Sequence, residues 1–192
     1  MQDKGFIDRR EHVLTAALRC ATTHGWDHVT VRDICADADI SLAEFYDVFD
    51  DKTDILVFYG RRLDRHVMEQ FSSFHPETPH RERLFDIVME RFDRANQDRA
   101  AILSILNAMK SDPKQMVISL PHLGLSMARM LELAGIETNG MRGALRVAGL
   151  VGVYAWTLRT WMDDDTDDLS KTMATLDKLL GRVDEFAKNY HL

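Results

Sequence analysis

The chain has 192 residues, 45% of them apolar, enough to bury a sizeable core in one or two small domains. Its formal net charge of -7 gives no global pull toward polyanions. Two cysteines make no disulfide framework and fit a reducing cytoplasm, no signal peptide is expected, and no uncharged run approaches the ~20 residues that a membrane-spanning helix needs.

Apolar residues recur at helical spacing nearly throughout, and no alternating strand appears, which predicts an all-α fold. Val13, Leu14, Ala17, Leu18 and Ala21 form the first stripe, stopped by Gly25. Thr30 opens a short second helix with Asp33 three residues on, running out near Ala38. Ser41-Leu42-Ala43-Glu44 fits a capping box for a third, and Asp50-Asp51 opens a long fourth through Ile55, Leu56, Leu63 and Val67. His75–His80, with Pro76 and Pro79, is a break. Helices over about 80–97, 99–111, 116–134, 140–162 and 169–188 follow, separated by Asp112-Pro113, Gly135–Gly140 and the acidic run at 163–168. Cys20 and Cys35 fall on apolar helix sides and are expected in the core.

Two short capped helices joined by about three residues, after a longer supporting helix, have a helix-turn-helix outline. In that arrangement the second helix enters the major groove, and helix starts such as Thr30 and Ser41 hold phosphates. The charge runs the other way. Residues 1–52 hold 6 basic and 11 acidic side chains, and from Asp33 to Asp51 there are seven acids and no Lys or Arg.

The order Arg10, Val13-Leu14, Ala16-Ala17-Leu18, His24-Gly25-Trp26, Val29-Thr30-Val31, Asp33-Ile34-Cys35, Ala38-Asp39-Ile40-Ser41, Phe45-Tyr46, Phe49, Lys52 and Ile55-Leu56 resembles the TetR family of bacterial transcriptional regulators across residues 9–57. The resemblance implies an all-helical homodimer. Its head (8–57) would bind operator DNA, and its body (58–192) would bind a small effector and dimerise. Carried over, Thr30, Ser41, Tyr46 and Lys52 would contact phosphates, while Leu42, Ala43 and Phe45 would face bases or pack beneath them. Glu44 could accept a hydrogen bond from a cytosine amino group. Lys4, Arg9 and Arg10 would add positive charge. The sequence departs from the family at Asp39, where Gly is usual, at Leu42-Ala43-Glu44, where small or basic residues are usual, and at Val48, where His is frequent.

Residues 147–186, with 12–26, also resemble the lipid-binding accessory proteins of coenzyme Q biosynthesis, which share the fold without acting as repressors. That resemblance implies a lipid or isoprenoid carrier that no longer binds DNA; Tyr46, Phe49 and Lys52 speak for the regulator instead. Either reading expects an apolar pocket, with Met109, Met116, Leu120, Leu123, Met127, Met130, Leu131, Val151, Tyr154 and Trp156 as candidate lining and His122 as a polar contact. Ala144, Ala148, Gly152 and Ala155 place small side chains along one helix side. With Leu176 and Leu180 of the last helix they are the expected dimer interface, an intramolecular core being the alternative.

No catalytic, cofactor or metal site is expected. Gly124-Leu125-Ser126-Met127-Ala128 lacks the second Gly and the strand of a nucleophile elbow. Asp163, Asp165 and Asp167 alternate as in a calcium loop, but Asp168 and Ala174 stand where its Gly and Glu belong, so a solvated loop is expected. His24 and His28 have no third ligand nearby in sequence.

Overall fold

The computed structural model describes residues 4–71, 77–111 and 113–190, and among them there is helix but no strand. The helices are α1 (Lys4–His24), α2 (Val31–Ala38), α3 (Leu42–Tyr46), α4 (Lys52–Gln70), α5 (His80–Asn96), α6 (Arg99–Ser111), α7 (Pro113–Leu133), α8 (Gly140–Asp163) and α9 (Ser170–Tyr190). They fall into two compact units. The first holds the chain up to Arg61 together with Gln97–Leu120; the second holds Arg62–Asn96 and the chain from Pro121 onward.

In the first unit α1 buries Val13, Leu14, Ala16, Ala17, Cys20 and Ala21, the stripe that its three-and-four spacing dictates. This face packs against α2 and α6. Gly25 ends the helix at φ +82, a backbone conformation that side chains rarely adopt, and there the chain turns Trp26 inward. The Trp26 N–H donates to Ser104 Oγ of α6 (2.9 Å). Both cysteines are buried, and burial pushes their thiols up, as befits small packed apolar groups. Asp51 Oδ1 accepts from the Asp54 N–H (2.9 Å) at the start of α4.

α7 begins at Pro113, a residue whose fixed φ suits the first helical turn, and it runs on through Pro121 and Gly124. A helix over about 116–134, spanning both, is also what the sequence predicts. An internal Pro disfavours a helix by ~3 kcal/mol, and the buried run Ser126, Met127, Met130 and Leu131 just beyond outweighs it.

The second unit is built around a buried carboxylate. Asp64 of α4 accepts from Arg91 Nε of α5 (3.2 Å), and from Ser126 Oγ (2.5 Å) and Arg129 Nη1 (3.1 Å) of α7. Arg91 also donates to the Tyr154 hydroxyl of α8, whose ring stacks on Phe92 at 5.0 Å. Apolar packing surrounds this knot: Ile87, Val88, Phe92, Met127, Met130, Trp161 and Leu176 are fully enclosed.

The acidic run at 163–168 is not wholly solvated. Asp164 turns inward, accepting from the Thr166 hydroxyl and N–H through one oxygen and from the Thr172 hydroxyl (2.7 Å) and N–H (2.8 Å) through the other. Burial opposes its ionisation, but these hydrogen bonds outweigh burial and hold its carboxyl far below the usual carboxylate range. Leu169 adopts φ +53 just before α9, so that helix starts at Ser170.

Asp64→Ala leaves the buried Arg91 guanidinium without its carboxylate and should lower unfolding free energy by roughly 3–5 kcal/mol in urea titrations. Asp164→Ala should cost about 1.5–3 kcal/mol at neutral pH. A depressed folded-state pKa stabilises above the unfolded value and loses that contribution as pH falls. The difference between wild type and Asp164→Ala should therefore shrink below about pH 4, measured by denaturation across an acid series.

Candidate functional site

The surface singled out by the sequence is built from two reciprocal caps. Thr30 Oγ1 accepts from the Asp33 N–H (3.2 Å), and Asp33 Oδ2 accepts from the Thr30 N–H (2.8 Å) and hydroxyl (2.7 Å). Ser41 Oγ accepts from the Glu44 N–H (3.2 Å), and Glu44 Oε2 accepts from the Ser41 N–H and hydroxyl (both 2.8 Å). These bonds set the start points of α2 and α3. Between them Asp39 takes the left-handed conformation (φ 52), where Gly would carry no steric cost, and the Ile40 N–H reaches back to Cys35 O (3.0 Å).

α3 is anchored from below. Phe45 is wholly buried, with its ring 5.4 Å from Tyr46 and 6.0 Å from Phe49, so it packs under the surface. Leu42, Ala43, Glu44 and Tyr46 face outward, Tyr46 being 58% exposed. That leaves a short outward face of one aliphatic, one methyl, one phenol and one carboxylate.

Its electrostatics follow from the caps. Glu44 is held below the usual carboxylate range by hydrogen bonds from the Ser41 backbone and hydroxyl, with a smaller effect from Arg9. Asp33 is held down by the Thr30 hydroxyl and backbone. Both remain charged wherever the protein is folded at ordinary pH, and each places a carboxylate at the helix start where a phosphate would sit.

Two of the expected cations face inward. Lys52 Nζ donates to Trp26 O (2.9 Å) and to Val29 O, and lies 4.3 Å from the centre of the Trp26 ring. Burial pushes its ammonium below the ordinary lysine value, with Asp27 and Asp33 acting the other way. The Arg10 guanidinium lies 4.4 Å from the Phe49 ring centre and 4.5 Å from that of Phe58, and it pairs with Asp54 (3.1 Å). Lys4, Arg9 and Arg32 are exposed. Arg32, in the first turn of α2, escaped the sequence reading because it stands outside the resemblance's contact positions.

In the second unit the expected pocket residues scatter. Met127, Met130, Leu131 and Tyr154 are buried, Leu123 and Val151 half-buried, and His122 and Trp156 exposed. In the first unit Met109 is half-buried and Leu120 exposed; the Met116 side chain lies outside the described residues. A cavity of about 390 Å³ opens in the second unit among α5, the end of α7, α8 and α9, and of the expected lining Leu131 alone borders it.

The small-residue face of α8 is exposed. Ala144, Ala148, Gly152 and Ala155 lie on the side opposite buried Leu150, Tyr154, Thr157 and Trp161, flanked by Met141 (90% exposed) and Trp156 (65% exposed). Leu176 and Leu180, expected at a dimer interface, are instead buried within the chain's own core, because they share α9's inner face with Thr172. Among the described residues the large exposed apolar side chains of α9 are Met173, Val183 and Phe186.

Among the described residues no group of His, Cys, Asp or Glu is placed to hold a metal, and no helix is long and apolar enough to cross a membrane. No curated protein matches the sequence. Residues 13–57 match the family model of the bacterial regulatory proteins, tetR family. The TetR transcriptional regulator from Nitrosomonas europaea is 18% identical over 90% of this chain and 96% of its own, with a TM-score of 0.73. A TetR transcriptional regulator from a Rhodococcus species is 16% identical over 92% of this chain and 97% of its own, with a TM-score of 0.64. Residues 13–57 are thus similar to the N-terminal segment of the bacterial regulatory proteins of the tetR family, and the chain shares the all-helical fold of these regulators.

Proposed function

We propose that the protein is a one-component transcriptional repressor that binds operator DNA as a homodimer and releases it when an apolar small molecule binds. The observation that carries this reading is the doubly capped α2–α3 pair, which holds Leu42, Ala43 and Tyr46 outward within the family-matched segment. In a major groove Leu42 and Ala43 would meet thymine methyls, and Tyr46 would donate to a phosphate. Lys52 serves this surface indirectly, strapping the Trp26–Val29 turn that leads into the Thr30 cap.

The outer face of α8 supports the dimer. It is apolar from Met141 to Trp156 apart from Arg142 and Arg146 at its edges, and small side chains allow a second helix to approach closely. Phe186 and Val183 of α9 add to the exposed apolar surface of the unit.

A second reading, a lipid or isoprenoid carrier that no longer binds DNA, is favoured by the inward Lys52 and Arg10 and by the carboxylates at both helix starts. One experiment separates the two: titration of DNA from upstream of the protein's own coding region, against random DNA, over a salt series. The repressor binds the upstream DNA selectively, with a shallow slope of about 0.9 logarithmic units per neutralised phosphate. Equal weak binding to both, with an apolar lipid in the extracted protein, establishes the carrier.

Three variants sharpen the result. Asp39→Gly relieves a left-handed aspartate and removes a negative charge beside α3, so it should tighten DNA binding to all sequences and raise stability by up to about 1 kcal/mol. Lys52→Met should lower the melting temperature of the free protein, as a strapping role requires; an unchanged melting temperature with weakened DNA binding would restore it to the phosphate contacts. Gly152→Arg should turn a sedimenting dimer into a monomer, because it sets a long charged side chain into a close helix contact.

A further inference from the structure

The cavity among α5, α7, α8 and α9 has a composition that specifies an occupant. Its walls include Leu84, Leu131, Leu150, Val153 and Leu180, five aliphatic side chains from four helices, each otherwise buried. Water against such walls has few hydrogen-bond partners, so an apolar group displaces it at little cost. The volume of about 390 Å³ lies in the range of small-molecule sites.

The mouth carries charge of both signs in balance: Arg81 and Arg146 against Glu137 and Asp184. Arg81 is already committed to Asp177, donating to its carboxylate (2.6 Å) and its carbonyl (3.1 Å). Arg146 donates to Glu137 O (2.8 Å). An anionic or cationic ligand would meet a like charge at this mouth as readily as an opposite one. His80, also at the mouth, shares a hydrogen bond between Nδ1 and Ala134 O (2.9 Å). A carbonyl only accepts, so Nδ1 carries the proton, and in the neutral ring Nε2 is left as an acceptor. Gly135, at φ +82, lets this contact form: a Cβ there would stand 3.3 Å from the imidazole.

We propose that this cavity is a binding site for a neutral amphipathic small molecule, its apolar body against the aliphatic walls and a hydroxyl or amide donor at the His80 end. The assignment gives a place and a chemical class to the effector of the reading above. It is tested without DNA, so either can fail while the other stands.

The probe is N-phenylnaphthylamine, a neutral fluorophore that brightens in apolar surroundings, compared with its sulfonated analogue, which adds an anionic group to the same skeleton. The expected result is saturable binding of the neutral probe at one site per chain, with the sulfonate at least about tenfold weaker. Ala187→Trp, on α9, and Ile136→Trp, between α7 and α8, extend into the cavity from two sides. Each should weaken the neutral probe by at least about tenfold while helical content and the melting transition are retained. Absence of saturable binding overturns the site. So does undiminished binding in whichever variant keeps its fold, and a sulfonate that binds as tightly as the neutral probe overturns the ligand class.

Discussion

One buried carboxylate organises the second unit. Asp64 receives hydrogen bonds from Arg91, Ser126 and Arg129, and Arg91 passes the connection on to Tyr154, so four helices meet through one charged group. An unpaired carboxylate at this depth would be prohibitively costly, and so would an unpaired Arg91. The knot is satisfied with all its members in place, which fixes the rotation of α4, α5, α7 and α8 more tightly than apolar contact would. Apolar packing tolerates sliding; a satisfied polar knot does not. Three of the helices that wall the cavity, α5, α7 and α8, are held in this way.

In the head, one set of interactions serves two ends that conflict. The capping boxes at Thr30–Asp33 and Ser41–Glu44 give α2 and α3, only 8 and 5 residues long, definite starting points. The same carboxylates place negative charge at the helix starts, beside a surface read as facing a polyanion. Meanwhile Lys52 and Arg10 spend their charge inside, against carbonyls, Asp54 and aromatic rings. The head is thus made rigid by groups that a strongly DNA-binding surface would turn outward. In the proposed repressor, recognition through such a surface would lean on the fit of Leu42, Ala43 and Tyr46 more than on counterion release.

α8 and α9 face two ways. Their inner sides, through Leu150, Val153 and Leu180, border the cavity, while Ala144, Ala148, Gly152 and Trp156 of α8 and Phe186 of α9 stand exposed. A helical period of 3.6 residues lets one sequence write both faces, and α8 does so over 24 residues. The packing of one face constrains the other, since rotating α8 to close the cavity would also turn its small-residue stripe.

The sequence by itself determined the helices and their limits. Periodic apolar positions, Thr30 and Ser41 as caps and Gly25 as a stop are local signals, and local backbone chemistry carries them. The head's outline was legible for the same reason, while the burial of Phe45, which the sequence left open, came from the packing. Tertiary structure decided what local signals do not encode. It turned Lys52 and Arg10 inward, because Trp26, Phe49 and Phe58 converge on them from other parts of the chain. It set Leu176 and Leu180 in the core, and turned Asp164 alone among its acidic neighbours onto Thr166 and Thr172. It also gathered Asp64, Arg91, Ser126, Arg129 and Tyr154, spread over some ninety residues, into one knot. Helical periodicity tells which side of a helix is apolar; which distant charge a buried side chain meets is settled only when the helices pack.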